Sequence, residues 1–111
     1  MYHEGRLTIK SDVYSFGVVL LEILSGRHAI DTRRPPEEQD LVRWAMPFFK
    51  NQWCFLNIVM DKRIEGQYSE KVAVRVAQIA GICLSEDPKK RPVMKKVVAA
   101  LEVLQLDKQA S

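Results

Sequence analysis

Asp61 and Glu65 stand four residues apart, a spacing that puts two carboxylates on one helical face and lets them hold a water between them. Such a pair does acid–base work only inside a pocket; without one it stays solvated. His3 and His28 are far apart, have no cysteine or carboxylate at metal-ligand spacing and lie among polar residues, so they are expected at the surface. Cys54 and Cys83 sit singly in apolar surroundings and are expected to be buried, reduced thiols rather than metal ligands or a disulfide framework. The densest basic stretch, Lys89-Lys90-Arg91 with Lys95-Lys96, has the charge to meet phosphates. It has no interleaved aromatic residue and no zinc-ligand pattern, so nucleic-acid binding is not expected and a solvated helix flank is. No set of catalytic residues emerges.

The elements that must position these residues read as helices. Gly and Pro divide the chain into four apolar segments joined by polar connections. The first spans 11–25, with Ser11 or Asp12 as its N-cap and Gly26 placed for a left-handed C-terminal residue. Its apolar residues, among them Val13, Phe16, Val18, Val19, Leu20, Leu21, Ile23 and Leu24, surround the helix, the pattern of one buried on nearly all sides. From Arg27 to Gln39 an exposed loop is expected, then a short helix capped by Asp40 and disturbed at its last turn by Pro47. The stretch 51–68 reads as a connection anchored by Trp53, Phe55, Leu56, Ile58, Val59 and Met60, with room for one helical turn. Ser69 caps a helix over 70–84 in which Val72, Val76, Ile79, Ala80 and Cys83 recur at three- and four-residue steps. Pro92 suits the first position of the last helix, and residues 107–111 form a polar tail expected to fray.

With 47% hydrophobic and 28% charged residues, the composition fits one globular unit with a modest core. A chain of this size buries roughly 60 to 70% of its unfolded surface, so its stability is sensitive to any missing partner surface. The formal net charge of +3 says little about partners. No signal peptide or myristoylation signal is read at the start, and the apolar run from Val13 to Leu24 is too short to cross a membrane and contains Glu22. A cytoplasmic location without membrane insertion is expected, at most peripheral to the plasma membrane through partners.

The run Lys10-Ser11-Asp12-Val13-Tyr14-Ser15-Phe16-Gly17-Val18-Val19-Leu20-Leu21-Glu22 resembles the central helix of the large lobe in plant receptor-like serine/threonine protein kinases. Gly5-Arg6-Leu7-Thr8 is similar to the segment after that family's Ala-Pro-Glu motif. Cys83-Leu84-Ser85, Asp87-Pro88 and Arg91-Pro92 are similar to its last two helices. Asp40-Leu41-Val42-Arg43-Trp44-Ala45 and Glu65-Gly66-Gln67-Tyr68 resemble the receptor-like cytoplasmic branch. The resemblance covers nearly all of 1–111 and implies a partial kinase domain. It implies that Asp12 is the aspartate receiving backbone N–H groups of the catalytic loop. It also implies that Val19 and Ile23 underlie the adenine-side apolar spine, and that Arg91 pairs with the glutamate of Ala-Pro-Glu.

Phosphoryl transfer needs a Gly-rich loop, a strand lysine, a catalytic-loop aspartate and asparagine, and a metal-binding aspartate before Phe-Gly. The sequence contains no Gly-x-Gly, no His-Arg-Asp and no Asp-Phe-Gly. The resemblance therefore implies a parent family using ATP and magnesium, while this chain alone is expected to hold neither cofactor and to be non-catalytic. The fold class expected is all-α: a buried central helix with about three helices around it. Three readings stay open: part of a longer kinase polypeptide, a short non-catalytic module binding kinase partners through an uncovered lobe face, or a degenerate remnant. Arg91 is expected to lack its carboxylate partner, with Glu86, Asp87 and Glu4 as substitutes and Arg91→Met harmless unless one of them serves.

Overall fold

The computed structural model describes the backbone of residues 2–64 and 66–110 and the side chains of residues 9–64 and 66–105. The fold is all-α, as expected: α1 (Tyr2–Ser25), α2 (Leu41–Ala45), α3 (Gln52–Cys54), α4 (Glu70–Cys83) and α5 (Met94–Ala110), joined by short 3₁₀ and π turns. The only β pairing among the described residues is an isolated antiparallel bridge between Ile30 and Asp40.

Helix α1 begins at Tyr2, well before the expected start at Ser11. No proline interrupts residues 2–25, so a helix once nucleated propagates through Ser11 and Asp12, and neither serves as an N-cap. Its end is where the sequence places it. Gly26 has φ +70° and its N–H donates 2.8 Å to the Glu22 carbonyl, a conformation costly for any residue with a Cβ.

Helices α2 and α4 start on the caps read from the sequence. Asp40 accepts from the Arg43 N–H at 3.2 Å, and Ser69 accepts from the Val72 N–H at 3.1 Å. Pro47 lies where the α-helix gives way to a 3₁₀ turn over Met46–Lys50, because its ring removes a donor from the ladder. The poorly legible connection holds more helix than expected: Asn51 caps α3, and a π turn follows over Phe55–Val59. Pro92 is not the first residue of the last helix. The Val93 carbonyl accepts from Val97 N–H at 3.2 Å, so the helix opens after Val93 and Pro92 sits ahead of it. The tail 107–111 lies outside the residues whose side chains are described.

The core forms between α1, α4 and the connecting turns. Leu21 and Leu24 of α1 pack with Leu41, Ala45, Phe55, Val59, Ala77 and Leu84, while Val13 packs with Cys83 and Val97. The α1–α4 contact is close because Gly17 lacks a side chain: a Cβ there would lie 2.8 Å from Cys83 Cβ and 3.1 Å from Leu84 Cγ. Small residues on the facing side, Ala73, Ala77 and Ala80, make the same approach possible from α4.

The loop after α1 is mostly exposed, as expected, yet it is pinned. The Ala29 N–H donates 2.9 Å to Glu22 Oε2; Arg27 donates 3.0 Å to Glu38 and its guanidinium lies 3.9 Å over the Trp44 ring. Cys83 is fully buried, and that burial pushes its thiol pKa up. Cys54, expected to be buried, is half-buried on the short α3.

Candidate functional site

The expectation that α1 is buried on nearly all sides is corrected by its two faces. Val13, Gly17, Leu21 and Leu24 are covered, but Ile9, Val19 and Ile23 remain 51%, 46% and 62% exposed. These three apolar residues and the exposed Asp12 follow three- and four-residue steps on one helical stripe, with half-buried Phe16 between them. This stripe leaves large apolar side chains in solvent on a helix whose other face is in the core. At its C-terminal end it opens into a shallow groove between Val19, Ile23, Gly26 and His28. Glu22 and Arg27 border that groove, but their charges are already engaged by Ala29 and by Glu38.

Asp12 is exposed and makes no hydrogen bond or ion pair with the described side chains. Val19 and Ile23 lie one turn apart, so both can support a single overlying layer. Together they can seat protein from above and receive N–H groups at one end. They carry no nucleophile, no base and no phosphate cradle.

Arg91 lies apart from this stripe, on the segment before α5, and its environment corrects an expectation. Its Nε donates 2.8 Å to the Ser85 carbonyl and its Nη1 donates 3.2 Å to the Lys10 carbonyl. The guanidinium also lies 4.8 Å over the Tyr14 ring. Lys10 completes a reciprocal clasp by donating from Nζ to the Arg91 carbonyl at 2.6 Å. Carbonyl oxygens and an aromatic face serve a guanidinium as partners, so its charge is not orphaned. Among the described carboxylates none pairs with it: Glu86 and Asp87 are exposed and make no ion pair, and Glu4 lies outside the described side chains.

The other candidates give no site. Asp61 is occupied by Arg63, accepting from its N–H at 2.9 Å and its Nε at 3.1 Å, and these bonds hold its carboxyl below the usual range. Glu65 and His3 lie outside the described side chains. Asp61 also borders a cavity of about 100 Å³ lined by Leu56, Met60, Ile64 and Tyr68, too small for a nucleotide. His28 is exposed. Among the described residues no three of His, Cys, Asp and Glu come together to hold a metal, and no helix is long and apolar enough to cross a membrane.

Sequence reasoning missed Ile9, Lys10 and Tyr14. Ile9 fell outside the expected helix, although its place three residues before Asp12 continues the same stripe. The Lys10–Arg91 clasp joins residues 81 apart in the chain and left no local signal.

Comparison with known proteins accounts for this arrangement. A family model described as "Protein tyrosine and serine/threonine kinase" matches residues 1–101. The Arabidopsis thaliana "Probable serine/threonine-protein kinase PBL11" is 51% identical over 96% of this chain and 27% of its own length. "Serine/threonine-protein kinase BIK1", also from Arabidopsis thaliana, is 50% identical over 91% of this chain and 25% of its own. The "EPD1-interacting receptor-like cytoplasmic serine/threonine-protein kinase" of Nicotiana benthamiana is 53% identical over 88% of this chain and 21% of its own. The chain thus spans about a quarter of the length of these relatives. It belongs to the protein tyrosine and serine/threonine kinase family, as a partial, all-helical kinase domain of the plant receptor-like cytoplasmic type.

Proposed function

We propose that this chain acts as the helical base of a serine/threonine kinase large lobe, the platform on which a catalytic half rests, and does not transfer phosphate alone. The parent activity is ATP-dependent phosphorylation of protein Ser and Thr, in which other segments hold ATP and magnesium. One observation carries the reading: apolar Ile9, Val19 and Ile23 lie bare on one stripe of α1, with the exposed Asp12 between Ile9 and Val19, while Val13, Leu21 and Leu24 on the other face pack into the core. Bare apolar area of this kind is stabilised by covering it with protein. In the assembled lobe Asp12 accepts backbone N–H groups of the catalytic loop, and Val19 with Ile23 supports the apolar layer above. Arg91 anchors the lower lobe, held here by the Ser85 and Lys10 carbonyls. The setting is cytoplasmic, at the membrane periphery only through partners.

The test is reconstitution. The chain is co-expressed with the preceding part of a relative's kinase domain, and phosphate transfer to a protein substrate is measured. Activity in the pair, absent from either piece and lost with Val19→Asp plus Ile23→Asp, supports the platform reading. A stable but inactive complex favours a non-catalytic module that binds kinases. For the chain alone, Mg-ATP should leave the melting temperature unchanged; a rise abolished by EDTA contradicts the expectation of no unaided nucleotide binding.

A further inference from the structure

The cations of this chain are unevenly paired. Every ion pair among the described residues has an arginine as its cation: Arg27, Arg33, Arg34 and Arg63, with Glu38, Asp31 and Asp61. Lys89, Lys90, Lys95 and Lys96 are all exposed, and none makes an ion pair with the described residues. Between Glu86 and Lys96 there are five basic and two acidic residues, an excess equal to the formal net charge of +3 carried by the whole chain. The rest of the chain is balanced, and its surplus is concentrated here.

Arg91 is held inside the fold by its clasp, but no carboxylate among the described residues pairs with the four lysines. Like charges so close together repel, and Lys95 and Lys96 occupy the first turn of α5, which holds no acidic residue to offset them. Four exposed lysines that repel one another and find no carboxylate among the described residues point to a partner outside the chain. This surface is separate from the α1 stripe, and the inference does not depend on the platform reading.

We propose that Lys89, Lys90, Lys95 and Lys96 form a docking surface for a short acidic segment of a partner protein. The surface is bounded. Glu86 and Asp87 stand at one end, Asp87 fixed by accepting from the Lys89 N–H at 3.0 Å, and Glu102 is exposed further along α5. Lys95 and Glu102 are separated by roughly 10 Å of helix. An extended peptide of about four residues covers a similar length, so it can lie along the lysines without reaching Glu102. A nucleic acid is a longer continuous polyanion that must run over those acids, and the ring described beside the basic stretch, that of Tyr14, is half-buried and already covered by the Arg91 guanidinium. A bilayer is held by aromatic or long aliphatic side chains beside the cations; the exposed apolar neighbours here are the short Val93 and Val98. Docking of this type is electrostatic, so it is weak and salt-sensitive.

The experiment is fluorescence anisotropy of a labelled peptide bearing about four consecutive glutamates, titrated with the full chain at low salt. One variant carries Lys89→Gln, Lys90→Gln, Lys95→Gln and Lys96→Gln. A charge-matched control carries Lys50→Gln, Lys62→Gln, Lys71→Gln and Arg75→Gln, all exposed positions elsewhere. Circular dichroism confirms that each variant keeps its helix content. The expected result is affinity for the glutamate peptide, none for its glutamine counterpart, and a loss of about tenfold or more in the first variant but not in the control. Equal losses in both variants reduce the effect to net charge and overturn the proposal. So does an absence of peptide binding while single-stranded RNA, or phosphatidylcholine vesicles carrying about 30% phosphatidylserine, is retained.

Discussion

The two faces of α1 carry similar residues and have opposite fates. Val13, Leu21 and Leu24 disappear against α4 and the turns around it, while Ile9, Val19 and Ile23 stand in solvent on the same helix. Helix propensity and hydrophobicity do not distinguish them. The difference is the close approach of α4 on one side, where the Cys83 Cβ meets Gly17 and the small Ala73, Ala77 and Ala80 of that helix are buried, while Ile9, Val19 and Ile23 on the other side stay exposed. An apolar side chain reports that it wants cover; only the neighbouring surface reports whether cover arrives.

The comparison breaks most readily with paired truncations. Leu21→Ala should cost about 2–5 kcal/mol in urea melts because it removes a fully buried side chain and leaves a cavity. Ile23→Ala, two residues further, should move stability by no more than about 0.5 kcal/mol. Equal losses would mean that the exposed face is covered in solution.

Arg91 gives a smaller effect. Arg91→Met strands the Ser85 and Lys10 carbonyls and removes the contact with Tyr14, so a loss of about 1–2 kcal/mol is expected, contrary to the neutral outcome of an orphaned charge. Lys10→Met should weaken the same clasp, and the double variant should cost less than the two singles added, since they share it. Strict additivity would show that the clasp does not form.

The smallest effect is on pH dependence. Arg63 hydrogen bonds hold Asp61 below the usual carboxylate range, as those of Arg33 hold Asp31. A folded-state value below the unfolded one gives a contribution present above the unfolded value of about 4 and lost as pH falls through the folded value. The melting temperature of the parent should therefore approach that of Arg63→Gln as the pH is lowered from about 6 to about 3. A gap that stays constant would show that Asp61 is unperturbed.

Much of the fold was legible because its signals are local. Asp40, Ser69 and Gly26 mark helix ends through groups within a few residues of themselves, and Pro47 acts on its own turn. What escaped depends on distance. The start of α1 was misplaced because Ser11 and Asp12 are good caps in isolation, while a continuous helix needs only the absence of a breaker. The one-sided burial of α1 was hidden because apolar residues all round state a need for cover without saying which part of it this chain supplies. The carbonyl partners of Arg91 were missed for a similar reason: carbonyls carry no sequence signature, and of the expected carboxylates Glu86 and Asp87 make no ion pair with it while Glu4 lies outside the described side chains. For the stripe, Asp12, Val19 and Ile23 were named in advance by resemblance, and only Ile9 and the geometry were added.

The central claim, that one face of α1 is folded but uncovered, is tested most directly by titrating the chain with a hydrophobic dye such as ANS beside its Val19→Ser, Ile23→Ser variant. The parent should bind dye with strong fluorescence, and the variant should lose most of that signal while its helical circular dichroism and urea midpoint stay close to those of the parent. Equal dye binding by both, or a parent that binds none, would contradict it.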